Sequence, residues 1–261
     1  MTALRSLLLS GIIWCLYAVG SGSAERGHEP PFNSTGTASF YLDGLGIANP
    51  KPWYVSIALK YSLGPHSFLE EKQMASSFIS VPDEFINSAE ANATRMCAYH
   101  IFIDPKMSIS RRRKERGEGS CKGLLRDACM KYIQNFRRSL SFAGDECPKF
   151  EIGKGCEPGV IYRSTPTDYT SFSGLRRGLD GVADIPEDYH TDTLFGTGFH
   201  DEGKKAYKRH QREPYPMLLA FSHEQSRENA GGDGETKYSS NLLCVAPSKA
   251  VAQRSYKPKG L

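Results

Sequence analysis

Trp53-Tyr54-Val55-Ser56-Ile57-Ala58-Leu59-Lys60-Tyr61-Ser62 is the stretch whose reading decides the fold class. Trp53, Val55, Ile57 and Leu59 fall on one face; Tyr54, Ser56, Ala58 and Lys60 fall on the other. Apolar residues at a period of two describe a strand in a sheet with one buried face. Ser39–Leu42, Phe78–Val81, Met96–Ile103, Met217–Phe221 and Asn241–Ala246 are further strand candidates. Within Met96–Ile103, the residues Cys97, Tyr99, Ile101 and Ile103 share a side and His100 takes the other. A one-sided sheet needs a cover. The best apolar stripe for it lies in Ser120–Leu140, where Cys121, Leu124, Leu125, Ala128, Cys129, Tyr132, Ile133, Phe136 and Leu140 recur at helical spacing. Ser120 is placed to cap that helix. The predicted fold is therefore α+β: a mainly antiparallel sheet with one principal amphipathic helix packed on it, stapled by disulfides.

Before the first strand, Arg5 precedes the apolar runs Leu7–Leu9 and Ile12–Leu16, which break up into Gly20-Ser21-Gly22-Ser23-Ala24. A basic start, a short apolar middle and a small-x-small exit predict a signal peptide over 1–24, with Glu25 as the mature N-terminus. A spanning helix would need about 20 apolar residues, and this run is shorter. Residues 25–37 read as a flexible leader, 38–253 as a single domain and 254–261 as a basic tail. The whole chain carries a net charge of +4. Losing Arg5 with the signal leaves 32 basic against 29 acidic side chains. That balance is too even to imply a nucleic-acid or membrane partner.

Of seven cysteines, Cys15 leaves with the signal. Cys97, Cys121, Cys129, Cys147, Cys156 and Cys244 remain. An even set in an exported chain predicts three disulfides, with fifteen pairings open. No C-x-x-C spacing supports a metal or redox site. On an intact helix, Cys121 and Cys129 would stand about 12 Å apart, beyond the roughly 7 Å a bridge allows. An antiparallel return after the helix ranks Cys129–Cys147 and Cys121–Cys156 first, leaving Cys97–Cys244. A local Cys147–Cys156 loop is the competitor. Asn33-Ser34-Thr35 and Asn92-Ala93-Thr94 are glycosylation sequons, which predicts exposed backbone at Asn33 and Asn92. The basic run Arg111–Arg116 reads as a solvated loop, with a polyanion patch or a dibasic processing site as functional alternatives. From Glu157 to Pro216, glycines and prolines predict short strands and turns pinned by tyrosines.

The chain holds no G-x-S-x-G elbow, no H-E-x-x-H and no phosphate loop. His223-Glu224 supplies only the first two letters of the zinc motif. His100 lies in a strand and His223 ends one, beside Glu224, so His100, His223 and Glu224 are the candidate acid–base groups of a ribonuclease-like hydrolase. Only that alternative would bring in nucleic acid. His200-Asp201-Glu202 reads as a short polar loop rather than a cation site. No metal or cofactor is implied.

Gly119-Ser120-Cys121-Lys122-Gly123-Leu124-Leu125, followed by Cys129, resembles a segment found in secreted, cysteine-containing proteins of filamentous fungi. Leu242-Leu243-Cys244-Val245-Ala246 through Arg254-Ser255 is similar to their C-terminal strand and tail. Many of those proteins are candidate effectors, and the family supplies no catalytic residues. The resemblance implies an extracellular protein acting at a host or wall surface. The leading expectation is a secreted, effector-like or surface interaction protein, binding an extracellular protein or glycan and free of the membrane after signal cleavage. The hydrolase is the alternative, and a toxin precursor matured at Arg111–Arg116 is the third reading.

Overall fold

The alternation of residues 53–62 builds a strand inside an antiparallel sheet, and a second sheet rather than a helix covers its apolar face. The computed structural model describes residues 34–47, 51–62, 72–103, 119–135, 142, 146–148, 155–156, 160–162, 167–169, 172, 185–196, 200–201, 204–225 and 235–250. Residues 1–24, expected to be a signal peptide, Asn33, the Arg111–Arg116 run and residues 254–261 lie outside the described residues. The strands are β1 (Ser34–Phe40), β2 (Trp53–Ser62), β3 (Lys72–Pro82), β4 (Thr94–Ile103), β5 (Val160–Tyr162), β6 (Thr167–Tyr169), β7 (Tyr189–Gly196), β8 (His200–Asp201), β9 (Tyr215–Glu224), β10 (Thr236–Val245) and β11 (Lys249–Ala250). The helices are α1 (Asp83–Ile86), α2 (Ala89–Ala93), α3 (Asp127–Asn135) and α4 (Lys204–His210). The predicted leader therefore ends early, since 34–37 already belong to β1.

The first sheet runs β11-β1-β2-β3-β7, with β8 also on β3; the second runs β10-β9-β4-β5, with β6 also on β4. Every pairing is antiparallel. Between the sheets, Val55, Ile57, Ile79 and Val81 of the first meet Met96, Ala98, Met217, Leu219 and Phe221 of the second. Trp53 is fully buried at one end of this layer. Its ring stands edge-on to Phe85 at 4.9 Å, Phe172 at 5.1 Å and Phe221 at 5.7 Å, the arrangement aromatic quadrupoles favour.

The opposite face of the second sheet is buried too. Cys97, Tyr99 and Ile101 of β4 and Leu218 and Ala220 of β9 pack against Leu125, Cys129 and Ile133. The order is thus sheet, sheet, then α3 with its leading turn. Burial on both faces is why Met217–Phe221 is an unbroken apolar run rather than an alternating one.

The expected single long helix is corrected. Four helices are described, and the one on the second sheet is nine residues long, starting at Asp127 rather than Ser120. Gly119 and Gly123 have φ of 79° and 71°, left-handed values that a helix cannot hold. The Ser120 hydroxyl accepts from the Lys122 amide at 3.3 Å and caps no helix. Residues 136–140 of the predicted helix lie outside the described residues.

The ranked cysteine pairing is overturned with it. The disulfides are Cys97–Cys147, Cys121–Cys244 and Cys129–Cys156, with Cα separations of 5.7, 5.0 and 4.3 Å. None of Cys129–Cys147, Cys121–Cys156, Cys97–Cys244 or the local Cys147–Cys156 loop forms. The ranking put Cys121 and Cys129 on one rod. In the structure Cys121 precedes the helix and lies beside β10, where the Cys244 amide donates to the Gly119 carbonyl at 2.9 Å.

The chain leaves the second sheet at Val245 and rejoins the first at Lys249, crossing hard against β1. A Cβ on Gly36 would stand 2.0 Å from the Ala246 carbonyl oxygen, far inside contact distance. Gly36→Ala should therefore cost about 1–3 kcal/mol through overpacking. Gly196→Ala, whose Cβ would meet Ser76 Oγ at an ordinary 3.8 Å, serves as the control. Urea midpoints of the two variants check this; equal midpoints would contradict it.

Candidate functional site

Side chains alternate along β4 and β9, and this sets where the candidate histidines fall. Thr94, Met96, Ala98 and His100 share the inner face of β4, opposite His223, Phe221, Leu219 and Met217 of β9. Thr94 pairs with His223 and His100 with Met217. The two histidines thus sit at opposite ends of one apolar layer, about 20 Å apart at roughly 3.3 Å per residue. Glu224 is exposed and is one residue beyond His223 on the strand, so its side chain turns to the other face. The fold does not bring His100, His223 and Glu224 into one cleft.

At the first end, the Thr94 hydroxyl donates to the Glu90 carbonyl at 2.7 Å and lies 2.9 Å from His223 Nδ1. A hydroxyl has one proton, and the carbonyl takes it. Thr94 must then accept from Nδ1–H, which fixes neutral His223 as the Nδ1–H tautomer. His223 is 6% exposed. Burial holds its pKa below the usual histidine value; Glu90 and Glu224 oppose that shift and Lys237 adds to it. This histidine ties β9 to β4 and, through Thr94, to α2.

At the other end, His100 is 7% exposed. Its Nε2 lies 3.4 Å from Ser77 Oγ, a long contact, and its ring rests 4.5 Å from that of Phe195. Phe195 is aimed there by a bulge. Ser77 pairs with Phe195 but Phe78 pairs with Thr193, so Leu194 is an extra residue on β7. Bulges commonly re-aim side chains beside sites. Together these residues line a shallow recess, open to solvent, between the ends of the sheets. Ser76, Ser77 and His100 are its polar members; Phe102, Phe195 and Tyr215 are half-buried around it. Burial alone lowers the His100 pKa to about 4, so the ring is neutral near pH 7.

Among the described residues, the other histidines make structural contacts, and His28 and His66 lie outside those residues. His190 Nδ1 bonds the Asp83 carboxylate at the start of α1. His200 and Asp201 form β8 against Gln73 and Lys72, where a polar loop was predicted. His210 reaches Gln73 Oε1 at 3.3 Å. Among the described residues, Cys97, Cys147 and Asp168 converge within 4.8 Å, but the two sulfurs are bonded to each other and offer no thiolates to a metal. Asn92 is exposed in α2, as a glycan acceptor requires. Ser77, Thr94 and Phe195 escaped the sequence reading, since a serine, a threonine and a phenylalanine in strands carry no local mark of a site.

The chain matches no family model, and no curated protein or solved structure is significantly similar to it. No helix among the described residues is long and apolar enough to cross a membrane.

The buried His100 makes stability depend on pH with a definite sign. Its pKa is about 4 folded and near 6.5 unfolded. Between those values the unfolded chain binds the proton and the folded chain does not. Stability is therefore lost as pH falls from about 6.5 towards 4, by about 2–3 kcal/mol. Denaturant titrations at pH 7.5 and 4.5 should show this loss in the parent and a smaller one in His100→Leu. Equal losses would place the acid sensitivity elsewhere.

Proposed function

We propose that this protein is a secreted, disulfide-stapled interaction module that binds an extracellular protein or glycan. The observation that carries the reading is the separation of the two best candidate catalytic histidines by the length of the core. Each has a local role: His223 a hydrogen bond to Thr94, His100 a place in the recess wall. Acid–base hydrolysis needs its groups within hydrogen-bond reach of one substrate, and about 20 Å of apolar core between them offers no such place.

The compartment is inferred from chemistry that agrees at several points. Three disulfides persist in oxidising surroundings and are rare in the cytosol. The Arg5–Ala24 segment has the form of a cleavable leader, and the Asn92 side chain is exposed. The resemblance of the Gly119–Cys129 and Leu242–Ser255 segments to secreted proteins of filamentous fungi supports action at a host or wall surface. Each staple contributes about 2–4 kcal/mol in typical cases, which favours survival among extracellular proteases.

Expression with the native leader in a eukaryotic host tests this. The product in the medium should begin at Glu25, and Asn92→Gln should lose one glycan in mass. Labelled protein should bind intact wall or host surfaces saturably, bind equally well as His223→Ala, and lose binding after reduction of its disulfides. Turnover of RNA that His223→Ala abolishes would establish the hydrolase instead.

A further inference from the structure

We propose that the free edge of β10 pairs with the β10 edge of a second copy of this chain, antiparallel and about a two-fold axis at Ser240. Three observations carry the assignment. The first is which backbone groups the edge leaves open. Cys244 stands opposite Pro216, which has no N–H, and the Cys244 amide donates outward to the Gly119 carbonyl. Hydrogen bonding alternates along an antiparallel ladder, so Leu242, Ser240 and Tyr238 also turn their N–H and C=O away from β9. Those groups meet no backbone partner among the described residues. The three residues are half-buried rather than enclosed.

The second is the contrast with the other sheet edges. Folded proteins blunt exposed edges with short strands, bulges and charges. β11 spans two residues and carries Lys249, and β5 and β6 span three each. β7 carries His190 and Asp192 and is bulged at Leu194. β10 is ten residues long and keeps an unbroken register on β9. From Tyr238 to Val245 it holds no charge, no proline and no glycine. A long, regular, uncharged edge is a template for another strand.

The third selects a second copy as that strand. About an axis at Ser240, Tyr238 falls opposite Leu242 of the second copy, and no charge faces a charge. Asn241 then falls opposite Ser239 of the second copy, with Cβ atoms about 4.5–5.5 Å apart. Asn241 Nδ2 is buried with no hydrogen-bond partner, and a serine hydroxyl can accept from it. An axis at Ser239 would instead set Asn241 against Lys237, whose ammonium only donates. The orphaned amide thus picks out both the occupant and its register. The pairing joins the five-stranded sheets of the two copies into one.

This inference goes beyond the surface-binding reading and does not need it, because the purified chain is its own partner. Sedimentation of the oxidised protein from about 1 to about 300 µM should show a reversible monomer–dimer equilibrium, with Kd on the order of 10 µM for an interface built on one strand pair. Ser240→Pro removes an outward N–H and no bond to β9. Ser240→Lys sets two ammonium groups against each other across the axis. Each should raise Kd at least about tenfold, while Thr193→Lys, on the β7 edge, leaves it unchanged. Amide exchange gives a second readout. The Tyr238, Ser240 and Leu242 amides should exchange slowly where the dimer predominates and fast where the monomer does. A monomer at every concentration would overturn the assignment. So would a dimer of parental affinity in both Ser240 variants, or protection of the three amides that dilution does not change.

Discussion

Burial of β4 and β9 on both faces is the constraint on which the other features depend. One face of these strands presents Met96, Ala98, Met217, Leu219 and Phe221; the other presents Cys97, Tyr99, Ile101, Leu218 and Ala220. Fully burying a large side chain contributes about 1.5–3 kcal/mol, so neither face can be left to water. The first face is covered by a sheet, whose strands hold one another by ladder hydrogen bonds. The second is covered by a turn and a nine-residue helix, too short to be stable alone. All three disulfides sit on that weaker side. Cys121–Cys244 fixes the turn to β10, Cys129–Cys156 fixes the helix to the segment that follows it, and Cys97–Cys147 fixes that segment to β4. The crosslinks are placed where hydrophobic cover is thinnest.

A layer closed above and below still has two open ends, and the polar groups of interest sit there. His223 closes one end through a hydroxyl whose proton is already committed to the Glu90 carbonyl. His100 closes the other with one weak contact and an aromatic neighbour. The same burial that keeps both rings neutral separates their environments. One end ties β9 to β4 and α2 through Thr94; the other leaves a shallow recess beside a rim of half-buried rings.

Much of the strand architecture was legible in the sequence. The alternation at Trp53–Leu59 put the right residues inward, and the Cys97, Tyr99, Ile101 side of β4 was correct. Cys121, Leu125, Cys129 and Ile133 were also correctly assigned to one apolar face, although only the last two are helical. Spacing reports which side chains share a face; it does not report whether glycines interrupt the backbone between them. Gly119 and Gly123 do so, and the pairing derived from an unbroken helix failed for that reason. The second sheet escaped as a cover because strand candidates alone do not reveal which sheet they join. The recess was illegible, since Ser77, His100 and Phe195 come from three strands and Phe195 points inward only through a bulge.

Mapping of the disulfides by mass spectrometry of the unreduced, protease-digested native protein tests the layered arrangement most directly. The expected crosslinked peptides join Cys97 to Cys147, Cys121 to Cys244 and Cys129 to Cys156. A peptide joining Cys97 to Cys244, or free thiols at these six positions, would contradict the placement of the helix and its turn against the second sheet, and with it the closed core whose ends carry the two histidines.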